Sequence, residues 1–312
     1  VNGKMISKKD VVTFVSNYKS IFEDLEMSFF EMTVAMAFNH FSKTQVDIAI
    51  IECGLGGRLD STNIIKPIIS VITNVGLDHT NLLGKTLDKI AKEKAGIIKE
   101  NVPIIIGRNQ QEIKKLFMST AKSKNSPIYF TKNAERINTD LKGEYQKENY
   151  STTLEIIKLL KKYGWKISEK QVQRGLNNVI KNTGLLGRWQ ILSEKPLTIC
   201  DTAHNEDGIK SIIKQIKKIN YNNLHFVFGT VNDKDTLRIL NLLPKEAIYY
   251  FCKSNVPRSM NHTVLKAKAE SVGLIGHCFS TVKKALEKAK EKAEKEDLIF
   301  ITGSTFVVAE IV

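Results

Sequence analysis

The sequence is poor in the features that would mark a stapled, metal-knotted or membrane-spanning chain. Its four cysteines, Cys53, Cys200, Cys252 and Cys278, form no C-x-x-C pair and no metal-ligand spacing, so they read as reduced core thiols. No apolar run approaches the roughly 20 residues that cross a bilayer. The opening VNGKMISKKD has neither an apolar stretch nor an Arg-rich amphipathic one, so these ten residues do not read as a targeting segment, and with Val1 in first place an incomplete or trimmed chain is expected. Arginine is scarce as well: 40 of the 47 basic residues are lysine. They lie along amphipathic stretches such as KKALEKAKEKAEKE, not in clusters with arginine and aromatics, so the net charge of +14 is read as a solvated surface before a polyanion site. A cytoplasmic monomer with no nucleic-acid or membrane partner is expected.

What is present is an alternation. Apolar, β-branched runs at 46–52, 68–74, 102–107, 197–201, 224–229, 247–252 and 298–303 are separated by helical patterns. Continuous apolar strands between helices imply a parallel-rich α/β sheet covered on both faces. At 312 residues the chain is about twice the usual domain size. A boundary is expected near 184–188, giving domains 1–186 and 187–312.

The segment IIECGLGGRLDSTN (50–63) carries three glycines within four positions, yet it has no Lys-Ser/Thr after the last glycine and matches neither a Walker A loop nor a dinucleotide fingerprint. In open parallel sheets ligands sit beyond the carboxyl ends of the strands. Glu52 and His79 fall at such ends; as a carboxylate and an imidazole they suit a divalent cation or, equally, a cap or turn. In TLDKIAKEKAGIIK, projection at about 100° per residue puts Lys94 among Leu87, Ile90, Ala91, Ala95, Ile97 and Ile98, with Lys89, Lys92 and Lys99 pointing away. Lys94 either snorkels or faces a cleft, where a desolvated amine becomes nucleophilic and takes up carbon dioxide as a carbamate.

IIECGLGGRLDSTN, followed in order by ITNVGLDHTNLLGKTLDKIAKEKAGIIK, GEYQKENYSTTLEI, LLGRWQIL, CDTAHNEDG, FGTVNDKD and ITGSTFVVAE, resembles the folylpolyglutamate synthase/dihydrofolate synthase family of Mur ligases over essentially the whole chain. The resemblance implies a Mur-type central ATPase domain, here without its leading strand and phosphate loop, and a smaller Rossmann-like C-terminal domain. It implies ATP, L-glutamate and dihydropteroate or folyl-polyglutamate as substrates, joined through an acyl phosphate with two magnesium ions. It makes Glu52 and His79 metal ligands, Lys94 a carbamylated catalytic lysine with His204 close to the chemistry, and Asn149, Arg188 and Asp201 nucleotide contacts. Asp201 has an alternative reading as a helix cap, and Arg188 as a linker cation. Ser28, Phe29, Phe30, Glu31, Leu59, Asp60 and Ser61 resemble a pterin pocket, Phe29 and Phe30 being equally open to a core role, and Ser304 resembles a glutamate contact. If the chain begins at Val1, it is expected to lack ATP turnover and to leave an unpaired edge and exposed apolar surface in its first domain.

Overall fold

Strands form here where an apolar run finds a neighbouring run to pair with. The computed structural model describes residues 1–134, 137–232 and 235–312. Its elements begin with α1 (Lys8–Asp24), α2 (Phe29–Thr44), β1 (Ser70–Ile72), α3 (Thr80–Leu83), α4 (Leu87–Ala95), β2 (Ile104–Ile106), α5 (Gln111–Ser123) and β3 (Ile128–Phe130). Next come α6 (Gln146–Lys162), α7 (Glu169–Asn177), α8 (Val179–Thr183), β4 (Gln190–Glu194), β5 (Leu197–Cys200), α9 (Glu206–Ile216) and β6 (Leu224–Phe228). The chain closes with α10 (Thr236–Leu240), β7 (Ile248–Cys252), α11 (His262–Glu270), β8 (Gly276–Phe279), α12 (Val282–Lys292), β9 (Leu298–Thr302) and α13 (Thr305–Ala309).

These elements divide into two compact units, Val1–Val75 with Thr86–Phe130, and Gly76–Lys85 with Thr131–Val312. The boundary expected near 184–188 falls in the loop between α8 and β4 of the second unit.

In the first unit β1, β2 and β3 form a parallel sheet in that order, with the fully buried Ile104–Ile106 in the middle. Helix α4 packs on α5, burying Ile90, Ala91 and Ala95 of one and Ile113, Phe117 and Ala121 of the other. The expected strand at 46–52 is absent: the run is neither helix nor strand, and Ile48 and Ile50 are 45% and 94% exposed. No described residues pair with it, and a strand without a ladder leaves its backbone groups to solvent. Ser28 and Glu31 close a capping box on α2, each satisfying a backbone N–H that the helix start leaves open.

The second unit holds a six-stranded sheet ordered β4-β5-β9-β6-β7-β8. Only β4 runs antiparallel. Successive residues of the central strands feed opposite faces, as the period of two requires. Phe226, Phe228, Leu298 and Phe300 pack with Ile209, Ile212, Ile239 and Leu265 on one side; Val227, Ile299 and Ile301 pack with Val282, Ala285 and Val307 on the other. The pattern of apolar runs overlooked β3, β4 and β8. β4 is a partly exposed edge with polar residues at both ends, and β8 begins on Gly276, where a Cβ would stand 2.2 Å from the Tyr249 carbonyl oxygen. No helix among the described residues is long and apolar enough to cross a membrane.

Candidate active site

The three-glycine loop is built for backbone contact with the end of a helix. Arg58 N–H donates to the Glu93 carbonyl at 2.8 Å, its guanidinium bonds the Glu93 carboxylate at 3.0 Å, and Asn63 Nδ2 donates to the Gly96 carbonyl at 3.1 Å. A Cβ on Gly96 would lie 2.3 Å from Arg58 Cα, and one on Gly57 would lie 3.0 Å from the Glu93 carbonyl oxygen. Only glycine admits this approach. A phosphate loop presents free N–H groups at a helix N-terminus; this loop sits on the C-terminal carbonyls of α4, the partially negative end. Its Leu55 N–H is spent on Asp60 Oδ2 at 2.8 Å.

Asp60 is buried and also accepts from Thr62 N–H at 3.0 Å and Thr62 Oγ1 at 2.5 Å. Burial alone would raise its carboxyl, but these bonds, with others from Leu55 and Gly54 N–H, hold it below the usual range. Of the remaining residues assigned to a pterin pocket, Phe29 and Leu59 are 82% and 79% exposed, so Phe29 has no core role. Ser28 and Glu31 form the α2 cap, and Ser61 opens a 3-10 turn, Ser61–Ile64, capped by Asp60. The Phe30 ring lies over Gly54, where a Cβ would meet it at 2.5 Å. In the same unit Lys94 is half-buried in the last turn of α4, whereas Lys89 and Lys92 are exposed; Lys99, projected away with them, lies past the end of α4, is half-buried as well and donates to the Asn63 carbonyl at 2.6 Å. The Lys94 ammonium has no hydrogen-bond or ion-pair partner among the described residues. Glu52 is exposed.

In the second unit the GLDH and DTAHN segments meet. Asp78 Oδ2 lies 3.3 Å from Asn205 Nδ2 and 3.6 Å from His204 Nε2. His204 Nδ1 donates to the Thr202 carbonyl at 2.9 Å, a bond that fixes its proton there and leaves Nε2 toward Asp78. Exposed His79 adopts a left-handed backbone (φ +50°) ahead of α3, and its N–H donates to Asp78 Oδ1 at 2.8 Å. Gly76 lets the Asp207 carboxylate approach to where a Cβ would be 2.7 Å away. Asp78, His79, His204 and Asn205 line a cleft of about 560 Å³ together with Lys85, Glu206, Asp235 and Arg238. Glu206 bonds Lys210 at 2.5 Å and Arg238 at 2.6 Å, and the Lys210 bond chiefly holds its carboxyl below the ordinary value. Asp233 and Lys234 of the FGTVNDKD segment lie outside the described residues.

Asp201 is no helix cap; Asn205 caps α9. Asp201 is buried and binds Tyr145 Oη at 2.6 Å, Trp189 N–H at 2.8 Å and Ala203 N–H at 2.9 Å. Desolvation raises its carboxyl, opposed by those bonds and by the Arg188 charge. Arg188 itself is exposed. Asn149, exposed in the first turn of α6, donates to Gln146 Oε1 at 2.7 Å. Ser304 is buried and caps α13 through Phe306 N–H at 3.1 Å. Cys200 and Cys252 are buried free thiols; burial, reinforced by the Asp201 charge, pushes Cys200 up to about 12. Sequence reasoning missed Asp78, Asn205 and Tyr145. The first two stand beside assigned histidines and were legible as polar strand-end residues; Tyr145 gave no signal beyond its place in the YQKEN segment.

Two family models match the chain: the Mur ligase middle domain over residues 4–174 and the Mur ligase glutamate ligase domain over residues 187–305. A Bacillus subtilis relative named dihydrofolate synthase/folylpolyglutamate synthase is 30% identical over 100% of this chain and 79% of its own length. The chain spans 40% of a Haloferax volcanii relative, 26% identical over 99% of this chain, named probable bifunctional folylpolyglutamate synthase/dihydropteroate synthase. Among solved structures, Escherichia coli FolC in complex with DHPP and ADP matches with a TM-score of 0.86 and 26% identity, covering 99% of this chain and 76% of that one. A bifunctional folylpolyglutamate synthase/dihydrofolate synthase with Mn, AMPPNP and L-glutamate bound matches with a TM-score of 0.83 and 25% identity, covering 99% and 77%. The chain belongs to the Mur ligase family, among the dihydrofolate synthase/folylpolyglutamate synthase enzymes.

Proposed function

We propose that this protein joins L-glutamate to the carboxylate of dihydropteroate, of a folyl-polyglutamate or of both, at the expense of ATP, in folate and one-carbon metabolism. The acceptor carboxylate attacks the γ-phosphorus, ADP leaves, and the glutamate amine displaces phosphate from the acyl carbon as it loses its proton. The observation that carries the reading is the mixed-charge cleft of the second unit. Lys85 offers a cation to glutamate's carboxylates and Asp78 and Asp235 offer anions to its ammonium, the complement a zwitterionic amino acid requires, while Glu206 and Arg238 are already paired with each other at 2.6 Å. This reading assigns His204, whose Nε2 lies 3.6 Å from Asp78 Oδ2 in that cleft, to take up the proton the attacking amine loses.

Asn149, Arg188 and Asp201 hold the nucleotide in this reading, and Ser28 to Glu31 with Leu59 to Ser61 receive the pterin, exposed Phe29 and Leu59 giving apolar surface to a flat heterocycle. Ser304 is assigned to the incoming glutamate by resemblance; the residue is buried and its hydroxyl caps α13. The domains 1–186 and 187–312 carry the two halves of the work. Among the described residues no three His, Cys, Asp or Glu side chains form a metal cluster. Glu52 and His79 are assigned as ligands by resemblance alone; each would supply one donor, a carboxylate oxygen and an imidazole nitrogen, with water and phosphate oxygens completing the shell of a divalent cation. Bound magnesium would neutralise phosphate charge during transfer. Half-buried Lys94, whose ammonium has no partner among the described residues, suits carbamylation, in which a lysine amine in its neutral form adds to carbon dioxide with release of a proton.

The test is incorporation of labelled glutamate by the full-length protein with each acceptor in turn. ATP-dependent labelling of a pterin acceptor is expected; labelling of none overturns the reading. Lys94→Ala should abolish incorporation, and bicarbonate should not restore it. Near-normal activity in that variant removes the carbamate from the scheme.

A further inference from the structure

Tyr145 is absent from every role assigned above, yet its hydroxyl makes the shortest bond to the buried carboxylate of Asp201, 2.6 Å to Oδ2. Its ring is folded back over Gly143, where a Cβ would come within 2.6 Å of it, so that position has no room for another side chain. The flanking residues anchor the same segment to Gln215 of α9 and to Lys218 just past its end. Glu144 N–H donates to Gln215 Oε1 at 2.7 Å, Gln215 Nε2 donates to the Lys142 carbonyl at 3.1 Å, and Lys218 Nζ bonds the Glu144 carboxylate at 2.6 Å. Asp140 ties the segment's start to the N–H groups of Val179 and Ile180 at 3.1 and 2.8 Å. The hydroxyl is therefore delivered to Asp201 by a segment held along its length. Asp201 Oδ2 also receives Trp189 N–H at 2.8 Å, in a turn where Trp189 takes the left-handed backbone (φ +49°).

We propose that Tyr145 is a positioning residue for nucleotide binding: its hydroxyl fixes the Asp201 carboxylate against the Arg188–Trp189 turn and couples that turn to α6, which carries Asn149. The proposal rests on the reading of Asn149, Arg188 and Asp201 as nucleotide contacts. The exposed contacts, Asn149 on α6 and Arg188 beside β4, bind one ligand well only if their spacing is set beforehand, and buried Asp201 stands between their two segments. Without the hydroxyl, a carboxylate that is 3% exposed loses a donor it cannot replace from water.

The experiment is steady-state kinetics of the full-length protein with Tyr145→Phe, Lys218→Ala and Asp201→Asn variants. Tyr145→Phe should raise KM for ATP about tenfold, the scale of one hydrogen bond to a charged group. Its kcat and its KM for glutamate should stay close to wild type. The groups facing Asp201 are Tyr145, Arg188 and Cys200. Because the Tyr145 bond favours the ionised carboxylate, its loss should also move the acid limb of kcat/KM for ATP to higher pH; a purely structural loss would scale the profile without moving it. Lys218→Ala, which loosens the segment without touching Asp201, should raise KM for ATP less than Tyr145→Phe does. It decides the matter if the phenylalanine variant fails to fold. If Asp201→Asn raises KM for ATP while neither of the other variants does, the positioning role is overturned. If Asp201→Asn leaves KM for ATP unchanged, the nucleotide reading of Asp201 itself falls.

Discussion

Two isoleucine-bearing apolar runs have opposite fates. LIFITG (298–303) supplies β9, the strand between β5 and β6, with Ile299, Phe300 and Ile301 fully buried. VDIAIIE (46–52) forms no strand, and Ile50 is 94% exposed. The difference lies outside the runs: β9 has ladder partners on both sides and helices over both faces, and 46–52 has no partner among the described residues. Apolar composition licenses a strand; neighbours make one.

The largest expected contrast follows from that comparison. Phe300→Ala should destabilise the second unit by about 3–5 kcal/mol, the usual cost of a cavity left by a core phenylalanine. Ile50→Ala should change stability by less than about 0.5 kcal/mol. Native-state hydrogen exchange of β9 amides for Phe300→Ala, and of β1 and β2 amides in its own unit for Ile50→Ala, measures the two effects, and similar losses would erase the distinction between the runs.

A smaller effect is expected where the second unit buries charge. Asp297 accepts from Asn223 N–H and Nδ2, Glu294 N–H and His225. Burial raises its carboxyl, but these bonds together hold it below the ordinary value. A depressed folded-state pKa contributes stability that is present above the unfolded value, near ~4, and is lost as pH falls through the folded one. Asp297→Asn should cost about 2–3 kcal/mol at neutral pH and flatten the acid limb of the stability profile below pH ~4. An unchanged acid limb would assign that limb to other carboxylates.

The first unit is held differently, by backbone packed on backbone. Gly96→Ala, which sets a methyl against Arg58 Cα, should cost about 1–3 kcal/mol, read as a lower melting temperature. Arg58→Ala removes only a partly exposed ion pair with Glu93 and should cost about 0–1 kcal/mol. A larger loss from Arg58→Ala than from Gly96→Ala would make the loop's attachment electrostatic.

Most of the second sheet was legible because its strands are continuous apolar runs. The strands that escaped notice are an edge with polar ends, a strand opening on glycine, and the three-residue β3. The half-buried setting of Lys94 was legible from helical projection, since its neighbours on α4 are apolar at the required spacing. The close packing of Gly57 and Gly96 was not, because glycine spacing alone does not say whether a phosphate or another backbone fills the space. Nor was the Tyr145–Asp201 bond, which joins residues 56 positions apart through folds of chain that no local pattern encodes.

The proposed chemistry is tested most directly by following oxygen. With full-length protein, ATP, glutamate and an acceptor whose carboxylate carries ¹⁸O, an acyl phosphate intermediate transfers one labelled oxygen to each orthophosphate released. Labelled orthophosphate formed with the new amide is the predicted result; amide formation with unlabelled orthophosphate would contradict it.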